Sequence, residues 1–473
     1  MMAAPRTRVD HLPNIPLTWI ERWLPNDELR RRRLVAMVRG ALSSLSNKVL
    51  VLAISLISVP LTIGYLGIER YGAWVTIGAV LTWMTLTDFG LGTGLTNAVT
   101  ADAHRDRPDL VRMHLSNFVL LVGGIGLLLA VVIAVIWPWL DWGSLFGVSN
   151  AATVAELRTA LAIAFGLFLI RLPLSMASKV YIAYQEGHVG NRWAAAGSVL
   201  SLGGLLVVTH TKGGLPLLVL SVYGIALAVE AVSTVWLFTH HRPGVRPHPS
   251  AIRPAAFGQI AAVGGQFFLI TVMALVTFQS DTLVIAHFLG ASAVPGYSVP
   301  YQLFNYAVLP QTLVFPYLWS AFTEAITRGD IAWVRRTFRL YVAGGVAVTL
   351  LLALVLLAIA RPFIGWWTHG AVTPALPLLL LMAAWAVINA YTGAVSCLLA
   401  AASHLRYQLI YSAAATIANL VLSIVLVRHI GVIGVIGATV TAYLVLVCGP
   451  TWLDVSALQR RLDRAPRPQE TPA

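Results

Sequence analysis

Six ionisable side chains stand inside long apolar runs of this 473-residue chain: Lys48, Asp88, Arg171, Lys179, Glu230 and Asp281. Glu324 lies near the end of another run. If those runs cross a bilayer, a central Lys, Arg or Asp costs at least ~2.5–3.5 kcal/mol to insert. Each such residue therefore faces a wet cavity and does chemistry there, or sits near an edge and snorkels to water. Arg171 has the clearest case for chemistry. It lies too deep in its run to snorkel, with Ser175 and Lys179 following at i+4 and i+8. That spacing predicts one polar stripe on a helix, bent locally by Pro173. A guanidinium in a cavity suits bidentate contact with a phosphate. The alternative is an internal ion pair with Asp88 or Asp281. Lys179 is close enough to the end of its run to snorkel instead. Lys48, beside Ser46 and Asn47, either joins a cavity cluster from the first run or reaches the surface.

The acids divide differently. Asp88 precedes glycines at 90, 92 and 94, which loosen a helix into a hinge or let it pack closely on a neighbour. Asp281, next to Gln279 and Ser280, is a candidate carrier of a coupling proton or the counter-ion of Arg171. Glu230 is a further candidate of the first kind. Pro310 and Pro316 predict a broken helix. There is no Walker loop and hence no built-in ATPase. No His, Cys and Asp cluster has metal-ligand spacing, and no cofactor motif is present; the glycines of Gly90–Gly94 follow no strand. Cys397 and Cys448 lie within apolar runs and read as small core residues.

The elements that hold these residues are membrane spans. The chain is 58% hydrophobic and 11% charged, with a mean hydropathy of +0.78, against roughly 25% charged residues in soluble domains. Alternating ten-residue segments of a β-barrel are missing. The expected fold is an all-α polytopic membrane protein of about 12 spans. We place them near residues 41–66, 72–100, 114–137, 157–181, 193–210, 214–238, 257–289, 295–325, 338–360, 375–400, 409–429 and 433–455. The net charge of +13 reflects cytoplasmic loops and not nucleic-acid binding. About 24 of the 32 Lys and Arg residues fall in the tails and alternate connections on one side, which predicts that both termini are cytoplasmic. Trp137, Trp139 and Trp142, with Trp366 and Trp367, mark the other interface.

The chain also repeats. Leu66-Gly67 and Tyr71 lead into a run that ends at Arg107–Asp109; Leu289-Gly290 and Tyr297 lead into one that ends at Arg328–Asp330. This predicts two six-helix lobes, 41–238 and 257–455, as parallel repeats around a central cavity. A basic tail (1–40), a connection rich in Pro, Arg and His (239–256) and a second tail (456–473) complete the expected organisation. Pro16–Leu24, with Trp19 and Trp23 on one face, is either a short interfacial helix or part of a disordered tail.

Two segments carry a family likeness. LGIERYGAW, followed by DFGLGTGLTNAV (residues 66–99), resembles the opening of Wzx-type lipid-linked oligosaccharide flippases, and QSDTLVIAHFLGASAVPGYSVPYQL (279–303) with PYLWSAFTEAITRGDIAWVRR (316–336) resembles their second half. These belong to the polysaccharide-transport branch of the multidrug/oligosaccharidyl-lipid/polysaccharide (MOP) exporter superfamily, which includes the MATE proteins. The resemblance spans roughly residues 41–455. It implies two lobes in a V, residence in the bacterial inner membrane, and translocation of an undecaprenyl-diphosphate-linked glycan to the outer leaflet. It implies a polysaccharide polymerase and glycosyltransferases as partners, beside membrane lipid, with Lys48, Arg171 and Lys179 as candidate contacts to the diphosphate and Asp88, Asp281 and Glu230 as ion-coupling or hinge residues. A cation-coupled drug exporter of the sister branch shares this architecture. A polytopic glycan polymerase or ligase is a third reading, but the loops are small for its chemistry.

Overall fold

A computed structural model describes residues 28–84, 91–103, 105–211, 213–254, 279–327, 329–402 and 405–464, all of them helix or short connection. The tail segment Pro16–Leu24, Asp88 and most of the expected seventh span lie outside the described residues. Eight described helices are long and apolar enough to cross a membrane. In lipid a backbone must satisfy its own N–H and C=O groups, which a helix does within one segment. Hydroxyl side chains follow the same rule. Thr62, Thr76, Thr82, Thr96 and Thr100 each donate to the carbonyl four residues earlier.

The first half comprises α1 (Glu28–Met84), α2 (Leu91–Ala103), α3 (Pro108–Ile136), α4 (Ala151–Ala183), α5 (Gly187–Val208) and α6 (Gly214–His241). The sequence predicts separate spans ending at 66 and starting at 72. The helical run Glu28–Met84 is two helices that meet at Gly67 (φ 75°, ψ 171°), a conformation open to glycine alone, within that expected boundary. α4 bends where Pro173 foretells it, with a turn at Ser175 between Ala151–Leu174 and Met176–Ala183. The second half comprises α7 (residues 279–289), α8 (Val294–Asn305), α9 (Leu309–Thr327), α10 (Ile331–Trp367), α11 (Leu376–Ala401), α12 (Leu405–Ile430) and α13 (Val432–Ser456). The break expected from Pro310 is the 3₁₀ turn Tyr306–Val308 between α8 and α9. Pro310 opens α9, where its missing N–H costs nothing, and Pro316 lies inside that helix.

α1 is the seam between the halves. Val59, Ile63 and Tyr71 pack into a core otherwise built from the second half, including Ile285, Val294, Leu379 and Val435. Polar links follow the same line: Trp367 Nε1 donates to Leu56 O at 2.6 Å, Lys48 Nζ to Thr312 Oγ1 at 3.1 Å, and the Ser55 and Tyr306 hydroxyls hydrogen-bond directly. At the Gly67 end the halves touch backbone to backbone. Ala291 N donates to Gly147 O at 3.1 Å, and a Cβ on Gly72 would fall 1.7 Å from Ala291 O. At the opposite end the connection after α6 is strapped onto α3. Asn117 exchanges two hydrogen bonds with the backbone of Arg253 (2.9 and 3.1 Å), Ser116 Oγ accepts from His248 N (3.0 Å), and Arg112 donates to Gly244 O (2.7 Å).

Gly72→Ala therefore drives a methyl group into a carbonyl that cannot retreat. We expect it to destabilise the protein by about 1–3 kcal/mol, read as a lowered thermal midpoint in detergent. Gly123→Ala, where nothing lies within 4 Å of the added carbon, serves as the neutral control. Equal midpoints for the two variants would contradict the close contact.

Candidate functional site

A cavity of about 530 Å³ opens among α1, α4, α5 and α6. Its size falls within the ~300–1,000 Å³ of small-molecule sites. Among the described residues its wall comes from the first half alone. Trp74, Tyr181, Trp193 and Tyr223 supply aromatic surface, with Trp74 and Tyr223 packed at 5.2 Å between ring centroids. Small residues of α5 make the room: Ala194, Gly197, Ser198 and Ser201 recur at three- and four-residue intervals and face the space. A second cavity of about 220 Å³ lies among α1, α4 and α6, lined mostly by apolar residues such as Leu81, Leu167, Phe168 and Leu227.

Arg171 and Glu230 line both cavities. Arg171 Nε donates to Glu230 Oε2 at 2.9 Å. The arginine side chain is 60% exposed and the glutamate 23%. Among the described residues neither Nη nitrogen of Arg171 has a protein hydrogen-bond partner. The pair is held by neighbouring links between α4 and α6: Thr234 Oγ1 lies 3.4 Å from Leu174 O, and Tyr181 OH lies 3.1 Å from Ser233 Oγ. The sequence offered Asp88 or Asp281 as ion partner for Arg171; Asp88 lies outside the described residues, and the partner observed is Glu230. Asp281 is committed elsewhere, in the second half. The expected stripe is also altered. Ser178, not Lys179, follows Arg171 into the cavity. Steps of four residues drift by about 40° each around a helix, so i+8 turns away where i+7 returns. Lys48 likewise lies outside the cavity wall, on Thr312 of α9.

Asp281 is 3% exposed. Tyr297 donates to its Oδ2 at 2.5 Å, and Thr439 Oγ1 lies 3.3 Å from the same oxygen. Asn419 Nδ2 donates to Thr439 Oγ1 at 2.6 Å. Among the described residues, Asp281 Oδ1 and Asn419 Oδ1 of this network have no hydrogen-bond partner, nor does Ser423 Oγ one helical turn beyond Asn419, and such groups cost free energy when buried and unmet. Sequence reasoning found Asp281 and missed Asn419, Ser423 and Thr439. The signal was present: Asn419 and Ser423 stand four apart, on one face, inside an apolar helix.

A third polar group lies at the end of α6. Glu186 holds Arg242 at 2.6 Å and His241 at 2.9 Å, and the Arg242 guanidinium covers the Tyr184 ring at 3.8 Å. Burial pushes the Tyr184 hydroxyl above its usual range, an effect that Arg242 opposes. Nothing in the sequence pattern pointed to this knot, because its members lie on separate loops.

The family model for "Polysaccharide biosynthesis protein" matches residues 37–323, more than half of the chain. The chain belongs to the polysaccharide biosynthesis protein family. A protein of Yersinia pseudotuberculosis named for O-antigen export is 21% identical over 291 residues, covering 61% of this chain and 65% of that protein. One of Salmonella typhimurium named for O-antigen transport is 23% identical over 293 residues, covering 60% and 64%. The matches thus span just under two thirds of these curated relatives. Among solved structures, an inward-facing MATE-family multidrug resistance transporter has a TM-score of 0.74 at 12% identity, covering 87% of this chain and 95% of that one. Its outward-facing counterpart scores 0.62 at 14%, covering 91% and 97%. The lipid II flippase MurJ scores 0.64 at 14%, covering 89% and 87%. The fold is the one shared by these MOP-superfamily structures.

The Asp281 cluster yields a stability prediction. Tyr297→Phe removes the shortest donor to a buried carboxylate and is expected to cost about 1–3 kcal/mol. The readout is the thermal midpoint in detergent, and an unchanged midpoint would rule out that hydrogen bond as a stabilising contact.

Proposed function

We propose that this protein moves a polyprenyl-diphosphate-linked oligosaccharide from the cytoplasmic to the outer leaflet of the bacterial inner membrane, for assembly of a surface polysaccharide. The observation that carries this reading is Arg171: a guanidinium with both terminal nitrogens unpartnered among the described residues, 60% exposed in a large cavity of a polysaccharide-family membrane bundle. Those nitrogens match two oxygens of a phosphate. Lys48 and Lys179 lie outside the cavity wall and would meet the diphosphate on its way in. The full arrangement we infer is twelve spans in two lobes, with both termini cytoplasmic and transport by alternating access. In that orientation the Gly72, Gly147 and Ala291 contacts close the outer side, which fits the higher score of the inward-facing relative.

The rival reading is export of cationic drugs. Such cargo needs unneutralised acid in the cavity, yet the acid that lines it among the described residues, Glu230, is paired with Arg171. For coupling, Asp281, whose Oδ1 has no partner among the described residues, is the better candidate than Glu230, whose charge is already engaged. Asp88 remains a hinge candidate by its glycines. A polymerase that extends the glycan and the glycosyltransferases that build it would act on either side of this step.

Deleting the gene should trap the lipid-linked repeat unit in the cytoplasmic leaflet and strip the surface polysaccharide. An Arg171→Ala protein expressed at normal levels should restore less than roughly a tenth of the flux, since one charge-assisted contact is worth about 1.5–3 kcal/mol. Normal surface glycan with a broad rise in sensitivity to cationic drugs would favour the exporter. Asp281→Asn should retain slow flipping but lose its dependence on the proton or sodium gradient. A variant that still follows the gradient would remove Asp281 from coupling.

A further inference from the structure

The cavity-lining helix α1 contains a proline, Pro60, and proline has no backbone N–H. The carbonyl four residues earlier, Leu56 O, therefore lacks the donor that an unbroken helix would give it. Trp367 of the second half donates its indole Nε1–H to this same oxygen at 2.6 Å. The ring is held ready for that contact. It is buried and stacks on Phe363, with 5.5 Å between centroids. Behind it α10 ends in a turn closed by Gly370 N on Gly365 O and by Thr368 Oγ1 on Ile364 O, each at 2.7 Å. The other side-chain links across α1 differ in kind. Ser55, which meets Tyr306, also donates to Leu52 O of its own helix at 2.9 Å, and Thr312, which meets Lys48, donates to Leu309 O at 2.8 Å. Those hydroxyls keep a local partner if the halves part. Leu56 O does not, because Pro60 withholds the local donor and the indole comes from across the seam.

We infer that Trp367 is a positioning residue of the transport cycle, fastening α1 to the second half through the carbonyl that Pro60 leaves free. This deepens the alternating-access reading above and rests on it. Leu56 packs into the second-half core, whereas Ile54 and Ser58, two residues to either side, line the cavity; two residues are about 200° of helix rotation. The indole thus holds α1 in the rotation that turns Ile54 and Ser58 to the cavity. A state in which α1 leaves Trp367 strips Leu56 O of its donor within the membrane, where an unmet backbone group is costly. The bond therefore weights the balance toward the arrangement seen here, in which Gly72, Gly147 and Ala291 meet on the side proposed above as the outer one. The effect depends on the proline: with an N–H at position 60 the carbonyl would be met in both states, and the indole would add little.

The test reads which side of the membrane reaches the cavity. Full-length protein carrying Cys397→Ala, Cys448→Ala and Ser198→Cys, the last on the cavity wall, is labelled in intact cells with a membrane-impermeant maleimide. Trp367→Phe removes the donor and should raise the labelling rate about tenfold, the equilibrium shift expected when one buried carbonyl loses its partner. Pro60→Ala returns an N–H to Leu56 O from its own helix, so in that background Trp367→Phe should change the rate by less than about twofold. The lost ring volume is common to both backgrounds and cancels in the comparison. A tryptophan analogue at position 367 with sulfur in place of the indole N–H keeps the ring, should match Trp367→Phe, and replaces it if the Phe variant does not fold. Thermal midpoints like that of the parent qualify each protein. Equal effects of Trp367→Phe with and without Pro60 overturn the assignment, since Trp367 would then act by packing alone. So does an unchanged rate in the sulfur analogue. If the labelling follows the expected pattern while gene deletion leaves surface glycan intact, the assignment of Trp367 stands and the flippase reading falls. If deletion traps the lipid-linked repeat while labelling ignores the loss of the indole N–H, the flippase reading stands and the assignment of Trp367 falls.

Discussion

A charge taken into a bilayer must find its partner inside the protein, and this constraint orders the structure. Burying an unpaired ion is far costlier than any single packing defect. Arg171 is met by Glu230 from the neighbouring helix, and Asp281 by two hydroxyls. The helices that present those groups are then fixed in rotation, because a turn of even one residue would part the pair. The Pro173 bend, the Thr234 and Tyr181 links and the small residues of α5 all serve that registration of α4 against α6.

The same constraint separates what can move from what cannot. α1 belongs to both halves: one face lines the cavity through Val51, Ile54, Ser58 and Thr62, and another packs into the second-half core through Val59 and Ile63. α1 thereby ties the cavity wall to the second-half core. The Gly67 break and the 3₁₀ turn at Tyr306–Val308 are backbone irregularities next to that seam. The strap from Gly244 to Arg253 on α3 is a fixed point at the other end, since its anchors are backbone groups matched one to one by Arg112, Ser116 and Asn117.

Much of this was legible in the sequence where a rule acts locally. Apolar runs marked the eight described helices long enough to cross a membrane, Pro173 and Pro310 marked the bends, and Arg171 stood out by its depth. What sequence could not supply is pairing across helices. Glu230 and Asp281 look alike as acids in apolar runs; only packing decides that one neutralises Arg171 while the other sits with Tyr297 and Thr439. The Arg171–Ser175–Lys179 stripe failed for a quantitative reason, the 40° drift of i+4 steps, which a count of seven would have avoided. The five cavity hydroxyls of Ser58, Thr62, Ser178, Ser198 and Ser201 were invisible as a site: four donate to their own helix and read in sequence like residues that do nothing else, and Ser201 donates across to Val222 O, a pairing only packing decides.

That last point bears on how a neutral cavity can be selective. In water a serine offers donor and acceptor at once and discriminates poorly. Within this bundle the backbone claims its hydrogen, so each hydroxyl becomes an oriented acceptor. These acceptors stand on the same wall as the indole N–H and phenol O–H groups of Trp74, Trp193 and Tyr223, so the surface presents donors and acceptors at fixed, separate places. Arg171 lines both cavities and is paired through Nε with Glu230, so its charge is oriented by a contact made between helices and not by the neutral hydroxyls around it.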